Sequence, residues 1–171
     1  MMAHPKTYCL DANVFIGGWT SYYSMALCPS YWNILSTLAA EGRIFAPMEV
    51  RRELEKIEDD LFRWVKERDN FFREPDQQVQ IILRDILRDF ERLVDDTKQR
   101  SLADPWVIAH AKAANAVVVT KEQPSNSPKR IKIPDVCRAL GVPWMDDFQF
   151  CQEIGIRFEA RIESELREAA S

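Results

Sequence analysis

The sequence contains little histidine, little cysteine and no excess of positive charge. It has two histidines and four cysteines among 171 residues, and no two cysteines form a C-x-x-C pair. This excludes the usual zinc sites built from closely spaced His and Cys, and it predicts reduced cysteines in an intracellular protein. Any metal ion would have to bind through oxygen ligands.

Long apolar runs are also missing. No stretch approaches the ~20 apolar residues that a membrane-spanning helix needs, and no basic start followed by an apolar core marks a signal peptide. We therefore expect a cytoplasmic protein with no membrane segment. With 23 Lys and Arg against 27 Asp and Glu, the net charge is −4, which argues against binding nucleic acid through bulk positive charge. An enzyme that clusters acids at one site is compatible with this balance.

The chain does contain an alternation of short apolar strands and amphipathic helices. This pattern predicts an α/β fold, with three layers α/β/α around a central, mainly parallel sheet. We expect one domain over residues 1–171, with a helical insertion at about 57–100 and a charged helical tail at about 156–171. Strands are predicted at 7–10, 43–46, 116–119, 130–133 and 142–145, and helices at 31–40, 47–68 with one break, 77–94, 104–115, 134–140, 147–154 and 158–170.

Four acidic residues stand out by position. Asp11 follows the first strand, Glu53 lies on the helix after the second, Asp104 opens a helix, and Glu122 follows the 116–119 strand. Sites in parallel sheets lie beyond the carboxyl ends of the strands, so Asp11 and Glu122 belong together by position. Converging carboxylates repel one another unless a cation neutralises them. Mg²⁺ prefers oxygen ligands and can activate water for cleavage of a phosphodiester.

Each acid also has a plainer interpretation. Asp11 could cap the turn after it, and Asp104, which precedes a proline, could be a helix N-cap. Glu53 could be a solvated side chain on a glutamate-rich helix, where Glu49 is a substitute one turn earlier, and Glu122 could be loop surface. Position couples only Asp11 with Glu122, so the residues alone leave both interpretations open.

Four of these segments, taken in order, resemble the PIN-domain family, named for the PilT N-terminus, and in particular its toxin-like, VapC-like branch. The resemblance frames residues from about 7 to 150. The fourth acid of the family is often aspartate, whereas this chain has Glu122, and Ile133–Cys137 looks typical of a little-studied branch. The matching segments are Leu10–Ile16, Ile44–Pro47 with Val50–Leu54, Ala103–Ala109, and Val117–Glu122.

The resemblance implies a metal-dependent ribonuclease that uses Mg²⁺ or Mn²⁺ and acts on RNA. It maps the catalytic acids onto Asp11, Glu53, Asp104 and Glu122. Of these, Asp11, Asp104 and Glu122 would hold the metal and Glu53 would complete the acidic ring. The supporting residues would be Asn13 and Thr120. It further implies an antitoxin protein as partner, and a homodimer as a common assembly.

Basic and aromatic residues near the acids suggest where a substrate would lie. Two basic groups could meet phosphates, although solvated surface is the plainer interpretation. The aromatic residues after the first acid could stack on bases or belong to the core. The alternatives in function are an inactive PIN-like interaction module and a DNA nuclease with the same acids. The basic residues are Arg51, Arg52, Lys129, Arg130 and Lys132, and the aromatic ones are Trp19, Tyr22, Tyr23 and Tyr31.

Overall fold

The protein is built around a parallel sheet. A computed structural model describes residues 5–57, 60–94 and 102–161. In this part of the chain, five strands pair in the order β3-β2-β1-β4-β5, and every pair is parallel. The predicted α/β class with a central, mainly parallel sheet is therefore confirmed. The strands are β1 (Tyr8–Leu10), β2 (Ile44–Pro47), β3 (Phe72–Arg73), β4 (Val117–Val119) and β5 (Trp144–Met145).

Helices flank the sheet, and local sequence signals explain several of their ends. Asp76 accepts a hydrogen bond from the Val79 N–H at 2.9 Å and so caps α5, as its position predicts. Gly141 and Gly155 adopt the left-handed conformation that ends α7 and α8. The helices are α1 (Ala12–Gly17), α2 (Pro29–Ala40), α3 (Met48–Glu55), α4 (Asp60–Lys66), α5 (Gln77–Asp89), α6 (Asp104–Ala113), α7 (Ile133–Leu140) and α8 (Asp147–Ile154).

Strand β1 lies at the centre of the sheet and fixes where the site falls. Tyr8 is in register with Ile44 of β2 on one side and with Val117 of β4 on the other. Cys9 and Leu10 are fully buried, as expected of a parallel strand covered on both faces. Because the strands are parallel, their carboxyl ends share one edge, and the residues after β1 and β4 meet there.

The stretch 57–100, predicted as a helical insertion, contains a strand as well as helices among its described residues. It contributes strand β3, which pairs with β2 at the edge of the sheet. Phe71 and Phe72 are buried and pack near Phe15, with ring centroids 5.9 and 6.3 Å from that residue's ring. A strand of two residues carries no periodic signal, so the prediction missed it. Residues 58–59 and 95–101 lie outside the described part.

The predicted strand at 130–133 is wrong. This segment is loop up to Lys132, because the Asp135 carboxylate accepts the backbone N–H of Lys132 that a strand would pair. Of the predicted tail helix, the described residues 158–161 are non-helical, and Phe158 stacks on Tyr23 at 5.1 Å. The rest of that prediction, 162–171, lies outside the described residues.

The remaining boundaries differ by a few residues. The predicted helix 47–68 divides into α3 and α4, the predicted helix 77–94 ends at Asp89 and continues as a 3₁₀ turn at Glu91–Leu93, and α6 ends at Ala113. A π-helical turn, Gly18–Tyr22, extends α1. Among the described residues no helix is both long enough and apolar enough to cross a membrane.

Candidate active site

Asp11 lies at the centre of the carboxyl edge of the sheet. Its backbone N–H donates to the Val119 carbonyl at 3.0 Å, which continues the pairing of β1 with β4. Its side chain is 3% exposed, and the Thr120 hydroxyl donates to its Oδ2 at 2.9 Å. Although Asp11 occupies the N-cap position of α1, its side chain makes no capping hydrogen bond there. The turn-capping interpretation of Asp11 therefore has no support in the geometry.

The electrostatic surroundings of Asp11 are unfavourable for its negative charge. The pKa of the Asp11 carboxyl is raised to about 7. Burial is the largest cause, the Thr120 hydroxyl opposes it, and the negative charges of Glu122 and Glu53 contribute to the rise. Three carboxylates from separate segments thus act on one another at this edge of the sheet. Keeping these carboxylates charged and close together costs free energy unless a positive charge lies nearby.

Thr120 and Asn13 fix the segment that follows β4. The Asn13 side-chain amide donates to Thr120 Oγ1 at 3.3 Å, and the Glu122 N–H donates to the same oxygen at 3.1 Å. The Asn13 Oδ1 accepts the Lys121 N–H at 2.9 Å. These bonds join the first turn of α1 to residues 120–122. Asn13 and Thr120, the supporting residues that the resemblance implies, are thus hydrogen-bonded to each other and to the residues around Asp11 and Glu122.

Glu53 connects helix α3 to the start of α6. Its Oε1 accepts the Ala103 N–H at 3.1 Å, across fifty positions of sequence. The next residue, Asp104, is 7% exposed and is the first residue of α6. Ala103, and not Asp104, occupies the N-cap position, so the capping interpretation of Asp104 is wrong.

Glu49, the substitute for Glu53 on the same helix, belongs to different surroundings. It pairs with Arg52 at 3.1 Å, and the nearby charge of Glu74 is among the causes that raise its pKa, the largest being burial. Glu53, in contrast, acts electrostatically on Asp11. Of the two glutamates, only Glu53 is among the charges that raise the pKa of Asp11.

Glu122 is attached to helix α7. Its Oε2 accepts the N–H of Ile133, the first residue of that helix, at 2.9 Å. Glu122 is half-buried, so the interpretation of this residue as plain loop surface does not fit. Both glutamates of the set thus hold a helix by its N-terminus, where the helix dipole favours a negative charge.

The predicted substrate-binding residues fall into two groups. Arg51 is engaged in ion pairs with Glu55 and Asp69, and Arg52 pairs with Glu49. In the second group, Lys129 and Arg130 are exposed on the loop before α7 and Lys132 is half-buried as the N-cap of that helix. Of the five, the exposed residues of the second group are better placed to meet phosphates.

A metal ion can be tested against the residues that are present. Carboxylate oxygens are the donors that Mg²⁺ and Mn²⁺ prefer, and the raised pKa of Asp11 is the mark of a carboxylate that a cation would stabilise. In the described part of the chain, however, no three His, Cys, Asp or Glu side chains are close enough to hold an ion as they stand. The chemistry of the donors fits a divalent cation, and their present positions do not form a complete ligand set.

A buried ion pair beside the site was not predicted from the sequence. Lys121 Nζ contacts both carboxylate oxygens of Asp147 at 3.0 Å, and Asp147 is 1% exposed. The two residues are far apart in sequence and have no shared motif. The only signal in the sequence is their position, because Lys121 comes shortly after strand β4 and Asp147 shortly after strand β5.

The fold defines a class of protein. An all-parallel sheet flanked by helices, as the described residues form it, is a PIN-like α/β fold. The chain belongs to the family described as a domain of unknown function (DUF4411), whose model matches residues 8–158.

Solved structures with similar folds are known. The chain is similar to VapBC2 from Rickettsia felis, in a complex bound to a DNA fragment from their promoter, with 18% identity and a TM-score of 0.50 over 82% of this chain and 98% of that chain. It is also similar to VapBC-1 from nontypeable Haemophilus influenzae, with 18% identity and a TM-score of 0.49 over 82% and 97%. No curated protein matches the chain. At such low identity, the likeness to the Rickettsia felis structure bears on the fold alone.

Proposed function

We propose that this protein is a Mg²⁺- or Mn²⁺-dependent endoribonuclease that acts as the toxin of a toxin–antitoxin pair. One observation carries the ribonuclease part: a buried Asp11 carboxyl whose pKa is raised to about 7, in part by Glu122 and Glu53. Carboxylates that converge at the edge of a sheet are destabilised without a cation, and carboxylate-bound divalent cations commonly serve phosphodiester hydrolysis.

The residues of the chain have distinct roles in this function. Asp11, Asp104 and Glu122 would hold the cation, with Glu53 completing the acidic ring. When bound, the cation neutralises charge on the phosphate and makes water a better nucleophile. Thr120 orients Asp11 through its 2.9 Å hydrogen bond, and positioning a catalytic group in this way lowers the entropy that the reaction must lose.

The toxin role is supported by the fold. VapBC proteins are toxin–antitoxin complexes, and the Rickettsia felis complex shares the fold of this chain. An antitoxin partner and an RNA substrate follow from the same proposal, as does a homodimer. A small adjacent gene whose product binds this chain and suppresses its toxicity would support the toxin role.

Single substitutions test the nuclease. With Mg²⁺ or Mn²⁺ present we expect the wild-type protein to cleave RNA and EDTA to stop it. Asp11→Asn and Asp104→Asn should abolish cleavage while leaving the thermal melt near that of the wild type, because each removes charge and keeps shape. Asp85→Asn, on the exposed face of α5, is the matched control and should cleave normally. Cleavage at the wild-type rate by Asp11→Asn would overturn the proposal.

An inactive interaction module is the second candidate, and a specific observation favours it. Both glutamates of the acid set already bind backbone N–H groups, and no ligand set is complete among the described residues. Titration with Mn²⁺ separates the two candidates: binding that Asp11→Asn abolishes favours the nuclease, and no binding at millimolar concentration favours the module. DNA in place of RNA as substrate is decided by the same cleavage assay with both nucleic acids.

A further inference from the structure

Two exposed aromatic rings lie side by side next to the candidate active site. Tyr22 is 51% exposed and Phe148 is 46% exposed. Their ring centroids are 5.4 Å apart and the rings are nearly perpendicular, at 85°. Tyr22 ends the π-helical turn after α1, and Phe148 lies in the first turn of α8. We call these two rings, with Lys121 beside them, the aromatic rim.

Lys121 ties the rim to the sheet. Its Nζ lies 4.0 Å from the centroid of the Tyr22 ring and 5.1 Å from that of Phe148, within the range of cation–π attraction. The same Nζ contacts both oxygens of the buried Asp147 carboxylate at 3.0 Å. The Asp147 carboxylate and the two aromatic rings therefore hold the ammonium group of Lys121 in place.

The surrounding chain keeps the rim in one arrangement. A Cβ on Gly17 would lie 2.8 Å from Lys121 Cδ, so the lysine stem crosses close to the end of α1 and would have to shift if Gly17 carried a side chain. The buried ring of Tyr23 packs against both exposed rings, with centroids 6.4 Å from Tyr22 and 6.2 Å from Phe148. Rings held in this way lose little conformational entropy when a ligand binds.

The rim is directly connected to the acids. Lys121 stands between Thr120, which binds Asp11, and Glu122. Its own N–H donates to Asn13 at 2.9 Å. Tyr22 lies on the turn that extends α1, which starts after strand β1, and Phe148 lies on α8, which starts after strand β5. The rim therefore lies on the same carboxyl edge of the sheet as the acids.

Charge alone gives this protein little affinity for a polyanion. The net charge is −4 and the candidate site consists of carboxylates, whereas nonspecific binding of nucleic acid usually depends on positive charge. Affinity would then have to come from contacts that do not need charge. Stacking of bases on aromatic rings is such a contact, and it requires bases that are not paired in a duplex.

We propose that the aromatic rim stacks an unpaired base of single-stranded RNA and so places the adjacent phosphodiester at the acids. This rests on the proposed ribonuclease function and assigns a base-binding role to two rings outside the acid set. Tyr22 and Phe148 supply the ring faces, and Lys121 fixes the rings relative to Thr120 and Glu122.

Binding of a fluorescent RNA tests the rim. The probe is a short single-stranded oligoribonucleotide containing 2-aminopurine, whose fluorescence is quenched when it stacks, measured in an Asp11→Asn background so that the RNA stays intact. Tyr22→Leu and Phe148→Leu remove the ring and keep apolar bulk. Each should weaken binding about tenfold and relieve the quenching. Tyr22→Phe and Phe148→Tyr keep the ring face and should bind like the parent protein.

Controls separate the rim from other causes. Ile81→Ala, an exposed apolar residue on α5, should leave binding unchanged. Loss of binding in the leucine variants, with retention in the two aromatic exchanges, supports the rim whether or not the wild-type protein cleaves RNA, so the rim and the ribonuclease can fail separately. Normal RNA affinity in both leucine variants overturns the rim. If the leucine variants bind RNA normally but no longer associate with the protein encoded by an adjacent gene, the base-stacking role is also overturned. The rings would then serve to bind a protein.

Discussion

At the scale of single residues, burial distinguishes the polar side chains with unusual surroundings from those on the surface. Asp11 could be singled out from the sequence because it directly follows a strand, and the structure places it beside Thr120. The contact of Glu53 with Ala103 could not be predicted, because it joins two segments fifty positions apart. His110 is 3% exposed and its Nε2 has no hydrogen-bond partner among the described residues.

The burial of His110 predicts a pH-dependent stability. Burial lowers the pKa of His110 from 6.5 to about 4, Asp76 opposes this and Arg73 adds to it. Because this pKa is lower in the folded protein than in the unfolded chain, the unfolded chain binds a proton more readily as the pH falls from 6.5 towards 4. The stability of the folded protein that is present above pH 6.5 is therefore lost over this range. We expect the wild type to lose about 2 kcal/mol relative to His110→Gln over this range.

Urea unfolding of both proteins at several pH values measures that difference. Glu74 and Asp76 line the same cavity of about 140 Å³ as His110 and Arg73, and both carboxylates are present in wild type and variant, so their own titration largely cancels. A difference in unfolding free energy that stays constant from pH 7 to 4 would contradict the assigned pKa.

At the scale of elements, the sequence predicts what has a clear start signal or a continuous apolar run. Strand β4 and the cap of α5 were predicted for these reasons. Strand β3 was missed because two residues show no periodicity. The loop before α7 was wrongly predicted as a strand. Its backbone pairs with a side chain, the Asp135 carboxylate, and not with a neighbouring strand. Pairing with a side chain leaves no trace in hydrophobic periodicity.

Helix α8 offers a test at this scale, since it carries Asp147 and Phe148. Asp146 caps it: the Asp146 carboxylate accepts the Gln149 N–H at 2.8 Å, and the Gln149 side chain accepts the Asp146 N–H at 3.0 Å. Asp146→Ala should reduce the free energy of unfolding by about 1 kcal/mol, whereas Asp146→Ser should lose only a few tenths. Equal losses in chemical denaturation of the two variants would show that the carboxylate does not act as a cap.

At the scale of the whole molecule, the order of strands sets the distribution of stability. The alternation of strands and helices made the parallel sheet predictable, but its strand order depends on long-range pairing that a single sequence does not reveal. Strand β1 is bonded on both sides, by β2 and β4, while β3 and β5 each have one neighbour. Asp11 and Glu122 follow the inner strands β1 and β4, and the aromatic rim joins segments that follow β1, β4 and β5.

Hydrogen exchange should follow this order. We expect the backbone amides of β1 and β4 to exchange at least about tenfold more slowly than those of β3, because an edge strand opens with less disruption than a central one. Exchange followed by mass spectrometry or by nuclear magnetic resonance measures it, and buried β1 residues such as Cys9 and Leu10 can be compared with Phe72. Equal protection of β1 and β3 would show that the sheet opens as one unit.

The two helix-anchoring glutamates have a consequence for how this family can diverge. Because Glu53 holds the start of α6 and Glu122 holds the start of α7, a descendant that no longer needs catalysis would still be selected to keep both for folding. Their retention in a relative is therefore poor evidence that the relative is an enzyme. Asp11 is a buried acid held at a cost to the fold, so it is the residue that relaxed selection would discard first, and under the proposed function its identity is the better guide to which relatives are nucleases.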